Sequence, residues 1–194
     1  MDAAKAHTTE VWAQLLLCEE DRLRVREFFV SEFGITPRCV VRNMHITVYH
    51  ARRPMPGVFP VSEPADVVLA ATETRFMVMA PGGENPRPEL DPAERKVGLR
   101  VHKQSAALRL ILEFRERLLR RETPRVLGRR PPSTRRANAF GARHYQPHMA
   151  VLRAGTGIDR DLARLGVPFR QKLGNLRFDR FEVEIVGRTG RPLH

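Results

Sequence analysis

Two stretches of this chain repeat one order: an apolar strand, an amphipathic helix, then a second apolar strand with a histidine at an equivalent place. The first stretch starts with TEVWAQLLLC at 9–18, rich in strand formers and closed by an acidic cluster, and continues with EDRLRVREFFVSEFG at 20–34. There Leu23, Val25, Phe28, Val30 and Phe33 give an apolar side, and Gly34 is a stop signal with Pro37 beyond it. VVRNMHITVYHA at 40–51 then reads as a strand. The second stretch runs KVGLRVH at 96–102, SAALRLILEFRERLLRR at 105–121 and PHMAVLRA at 147–154, the middle piece with apolar residues at helical spacing. HITV at 45–48 and HMAV at 148–151 thus hold matching positions, the pattern of an internal duplication.

Other segments fill in around these. ADVVLAATETRFMVMA at 65–80 predicts two short strands separated by a polar turn at Thr72, Glu73 and Thr74. PGGENPRPELDPAER, with its Pro and Gly, marks a boundary between halves near 81–95. A short helix is expected around IDRDLARLG at 158–166, and a last strand in LRFDRFEVEIVG at 176–187. With 194 residues the expectation is one globular unit, 1–194, of two intimately packed halves, about 1–90 and 91–194, whose lobes may exchange strands.

Strand alternation sorts the side chains. Met44, Ile46 and Val48 are expected on one face, with His45, Thr47 and Tyr49 on the other. In the second motif Pro147, Met149 and Val151 turn inward, and His148, Ala150 and Leu152 outward. Two such strands side by side would present two imidazoles and a hydroxyl to one phosphate.

The paired motifs NMHITVYH and YQPHMAVLR resemble the two HxTx motifs of the 2H phosphoesterase superfamily, which includes bacterial 2′,5′ RNA ligase-like proteins and cyclic phosphodiesterases. The likeness spans nearly the whole chain in element order. It implies an α+β fold, bilobal and pseudo-symmetric, with antiparallel sheets flanking a central groove and helices outside. It also implies a hydrolase that needs no metal or cofactor, in which His45 and His148 are the catalytic general base and acid, in either assignment. Thr47 would hydrogen-bond a non-bridging phosphate oxygen. The matching position of the second motif is Ala150, which has no hydroxyl, so this chain departs from the pattern there. Arg143 is the first candidate for a compensating donor, with Gln146 and Arg153 also nearby, and Tyr145 or Tyr49 for a ring face to a nucleobase.

Charge narrows the partner. A formal net charge of +12 attracts polyanions, with nucleic acid the leading candidate, and the resemblance narrows the expected partner to RNA or a small nucleotide with a phosphodiester next to a ribose hydroxyl. The Arg-rich loop at 123–145 runs straight into the second histidine strand and is expected to border the site. A basic RNA-binding protein on the same fold, with little catalysis, is the alternative reading. A metal site from His45 with His50, or His144 with His148, is disfavoured: the first pair is expected on opposite strand faces, and Pro147 opposes a shared helical face for the second. Cys18 and Cys39 form no paired CxxC arrangement. With no secretory signal and no apolar run long enough to span a bilayer, the expected setting is a reducing cytoplasm without membrane attachment.

Overall fold

The computed structural model describes residues 10–51, 59–79, 95–122 and 145–186. It is an α+β structure of seven strands and three α-helices: β1 (Glu10–Leu17), α1 (Glu19–Phe33), β2 (His45–Ala51), β3 (Val61–Ala70), β4 (Thr74–Met79), β5 (Lys96–Val101), α2 (Ala106–Glu122), β6 (His148–Leu152), α3 (Ala163–Leu173) and β7 (Asn175–Val186). The strands form one sheet in the order β3-β7-β1-β2-β6-β5-β4, with every neighbouring pair antiparallel. The histidine strands β2 and β6 are therefore adjacent at its centre. At the two sides of the sheet β7 pairs with β1 and β3, and β4 pairs with β5.

Helices supply the apolar partner for one sheet face. Val25, Phe28 and Phe29 of α1 and Leu165 and Phe169 of α3 are buried, and Phe28–Phe169 (5.3 Å) and Phe76–Phe169 (5.0 Å) join both helices to β4. On the other half of the sheet α2 buries Ile111 and Leu118, and its Phe114 stacks on Phe181 of β7 at 4.6 Å. Large aromatic rings in such contacts contribute beyond the area they bury. The α1 stripe differs from its sequence reading in one respect: Phe29 is buried while Leu23 is 57% exposed.

Gly34 ends α1 in the left-handed region, φ 62°, and its N–H bonds the Val30 carbonyl at 3.1 Å. The helix expected at 158–166 is corrected: a 3-10 turn occupies Ile158–Arg160, and α3 runs through Pro168 to Leu173. Leu165, Phe169 and Leu173 recur every four residues and are all buried, and this packing outweighs a proline cost of about 3 kcal/mol. Among the described residues no helix is long and apolar enough to cross a membrane.

Candidate active site

Alternation places Met44, Ile46, Val48 and Met149 in the core. His45, Thr47, His148 and Ala150 lie half-buried on the face that the helices leave uncovered. Ile46 pairs with Met149. One step either way in that antiparallel register sets Thr47 across from His148, and His45 across from Ala150. The two histidines are thus diagonal neighbours, about 7–8 Å apart at the backbone, close enough for both rings to reach one phosphate.

Each ring is held in the same way. Nδ1 of His45 lies 2.9 Å from the Asn43 carbonyl, and Nδ1 of His148 lies 2.9 Å from the Gln146 carbonyl, two residues back in both cases. A carbonyl only accepts, so Nδ1 carries the hydrogen and the neutral ring keeps its lone pair on Nε2. Burial is the main influence that lowers the His45 pKa from its ordinary value; the Asn43 bond raises it, the charge of His148 lowers it, and Glu184 raises it. The influence of His148 on His45 agrees with their diagonal placement.

The strands share a second feature. The register between β1 and β2 jumps at Val48, and that between β5 and β6 jumps at Val151, each three residues after its histidine. A β-bulge inserts one residue and reverses the facing of those that follow. Two expectations are corrected as a result. Tyr49, expected beside His45 and Thr47, is turned into the core and is 1% exposed, and Leu152 likewise is buried. His50 instead joins the His45 face, stacked on Trp12 with ring centroids 3.8 Å apart.

Arg115 of α2 secures the first bulge. It is 5% exposed, donates from Nη1 to the Val48 carbonyl at 3.0 Å, and lies 4.5 Å from the Tyr145 ring and 5.8 Å from that of Tyr49. The Tyr145 hydroxyl donates to the Thr47 carbonyl at 2.8 Å. Burial drives its pKa well above the ordinary phenol value, against the opposing effect of Arg115. Tyr145 is therefore a clamp between β6 and β2 with one ring face taken by Arg115, and not the open nucleobase platform expected of it. The clamp matters because β2 and β6 share a single registered pair, otherwise reinforced by Val41 N–H to the Val151 carbonyl (2.9 Å) and Arg153 N–H to the Cys39 carbonyl (2.7 Å).

Strand pairing brings in residues that sequence reasoning missed. Gln14 lies across from Thr47, Arg100 across from His148, and Arg75 across from Arg100. The row Gln14, Thr47, His148, Arg100, Arg75 thus crosses five strands. The alternation of Lys96, Gly98 and Arg100 with buried Val97, Leu99 and Val101 was the available signal for Arg100. Arg143 and His144 lie outside the described residues, as does nearly all of the Arg-rich loop.

A cavity of about 270 Å³ between β4 and α3 includes Arg75 in its lining, another of about 590 Å³ lies between β3 and α2, and neither includes a histidine. Among the described residues no three His, Cys, Asp or Glu side chains are grouped to hold a metal ion. No protein-family model and no curated protein matches the chain.

Proposed function

We propose that this protein is a two-histidine phosphoesterase that cleaves RNA-like phosphodiesters, 2′,3′-cyclic phosphates or 2′,5′-linked nucleotides, without a metal. The observation that carries the reading is the matched pair itself: two histidines on adjacent strands, on one face, each with Nδ1 tied to the carbonyl two residues back. We read β1-α1-β2 and β5-α2-β6 as two copies of one unit around a central groove, a two-lobe reading supported by bulges at equivalent residues of both histidine strands.

In this mechanism His45 is the base, because its lowered pKa keeps Nε2 unprotonated near neutrality. For a cyclic phosphate, water attacks phosphorus while its proton passes to His45. The bond from phosphorus to one ribose oxygen breaks, and protonated His148 supplies a proton to that oxygen. The Thr47 hydroxyl donates to a non-bridging oxygen as charge builds there, and the Gln14 amide across from it is a second neutral donor. Each turnover leaves His45 protonated and His148 neutral, and exchange with solvent resets them.

Hydrolysis of a nucleoside 2′,3′-cyclic phosphate and a 2′,5′-linked dinucleotide in EDTA tests the reading. Wild type is expected to turn over at least one of them, and His45→Ala and His148→Ala each to lose about 10²-fold or more. Retained activity in both variants would sink it. Ala150 favours a second reading, an RNA-binding protein without catalysis; no turnover together with tight, salt-sensitive RNA binding would select that one.

A further inference from the structure

Arg100 and Arg75 face each other directly across β5 and β4 on the uncovered sheet face, Arg100 half-buried and Arg75 exposed. Neither side chain makes an ion pair or hydrogen bond with another described residue. Like charges directly opposite one another weaken a strand pair, so this juxtaposition disfavours the empty protein. An anion lying between them reverses the sign of that interaction, since guanidinium groups bind phosphate oxygens two at a time.

Position says which anion. Arg100 is one strand spacing from His148, about 4.8 Å, and Arg75 is two, about 10 Å, so a phosphate held by both arginines is separate from one held between the imidazoles. The other end of the same row is acidic: Glu182 lies across from Gln14 and Glu184 acts electrostatically on His45, and among the described residues Glu182 pairs with Arg180 at 3.3 Å while Glu184 has no ion-pair partner. A phosphate chain is repelled over β7 and attracted over β5 and β4. Substrate polarity across the sheet follows from this division.

We propose that Arg100 and Arg75 form a second phosphate subsite, so that the substrate is an oligonucleotide or a nucleotide with at least one phosphate besides the one that reacts. This deepens the phosphoesterase reading and rests on it for which phosphate is cleaved. The subsite also separates the charge at this end of the sheet from a general basic surface, because it predicts dependence on two named side chains.

Titration calorimetry with adenosine 2′-monophosphate and adenosine 2′,5′-bisphosphate tests it without requiring turnover. Wild type is expected to bind the bisphosphate at least about tenfold more tightly, with the advantage reduced to under about threefold in Arg75→Gln and in Arg100→Gln, and its salt dependence correspondingly shallower. Lys96→Gln, a neighbouring exposed cation on β5, is expected to keep the full advantage. Equal binding of both probes by wild type overturns the subsite, as does an advantage that survives both arginine substitutions or falls equally with Lys96→Gln. Arg75 is exposed, so its variant remains informative if Arg100→Gln does not fold. Cyclic phosphate turnover, measured on the same wild-type sample, reports separately on the catalytic reading.

Discussion

Tyr145→Phe removes one oxygen and leaves the ring beneath Arg115. The lost group is the donor to the Thr47 carbonyl at 2.8 Å, which ties the start of β6 to β2 beside both histidines. A carbonyl left without its donor in a part-buried place costs about 1–2 kcal/mol. In a protein of this size that lowers the thermal midpoint by roughly 2–8 °C. Activity on a cyclic phosphate is expected to fall about 10-fold to 10²-fold in kcat with little change in KM, because the loss acts through alignment of Thr47 and His148 and not through substrate contact. Alkaline stability supplies a further readout. Burial raises the Tyr145 pKa above 10, so the unfolded chain gives up this proton first; the contribution is complete below pH 10 and is lost as pH rises beyond it. Denaturant unfolding of wild type at pH 9 and pH 11 is expected to show a fall that is smaller in Tyr145→Phe. If Tyr145 served instead as a platform for a base, phenylalanine would preserve stacking. An unchanged midpoint with unchanged kcat would refute the clamp.

Ala150→Thr restores a hydroxyl across from His45 and is expected to raise kcat on a cyclic phosphate about tenfold or more, the reverse of deleting an oxyanion donor; steady-state kinetics that show no gain would mean that another group already serves the phosphate there. Proton NMR titration is expected to place the His45 midpoint below 6.5, and lower still in Glu184→Gln, since that carboxylate favours the imidazolium; a rise in the variant contradicts the assignment. By the same sign, the His45 contribution to stability is complete above pH 6.5 and is lost as pH falls through the folded-state value, because the unfolded chain binds the proton first. At Gly98 an added Cβ would clash with Met79 Sδ and meet the Met149 carbonyl at 3.0 Å, so Gly98→Ala is expected to lower the midpoint by a few degrees, with partial recovery in a Met79→Ala background that leaves only the carbonyl contact.

The strand and helix order was legible because it rests on local periodicity, and so was the common facing of His45, Thr47, His148 and Ala150. What periodicity cannot carry is a change of phase. Val48 and Val151 are ordinary strand residues with no glycine beside them, yet each is the extra residue of a bulge, and everything after it changes face. Tyr49 and His50 were therefore assigned to the wrong sides. Arg115 escaped notice for a different reason: an arginine on an amphipathic helix reads as solvent-facing, and its burial depends on a carbonyl that the bulge exposes 67 residues away in sequence. Arg100 was visible as a cation in an apolar strand, but its place beside His148 is a fact of strand order, which the chain pattern alone did not supply.

The comparison of the two histidine strands separates shared chemistry from divergent recognition. Shared are the imidazole, the Nδ1 tie to the carbonyl two residues back, and the bulge three residues on. The Nδ1 tie sets the tautomer, which on the two-histidine reading a base and an acid need equally, since each must exchange a proton through Nε2. Divergent are the neighbours: Thr47 against Ala150 within the motifs, and across the adjoining strands Leu16 beside His45 against Arg100 beside His148. A symmetric phosphate alone would not call for that difference. A substrate with further phosphates on one side only would, because the half that meets the phosphate chain gains a guanidinium where the other keeps an apolar side chain. On the two-histidine reading, the asymmetry of the neighbours is therefore where the direction of the bound substrate is set.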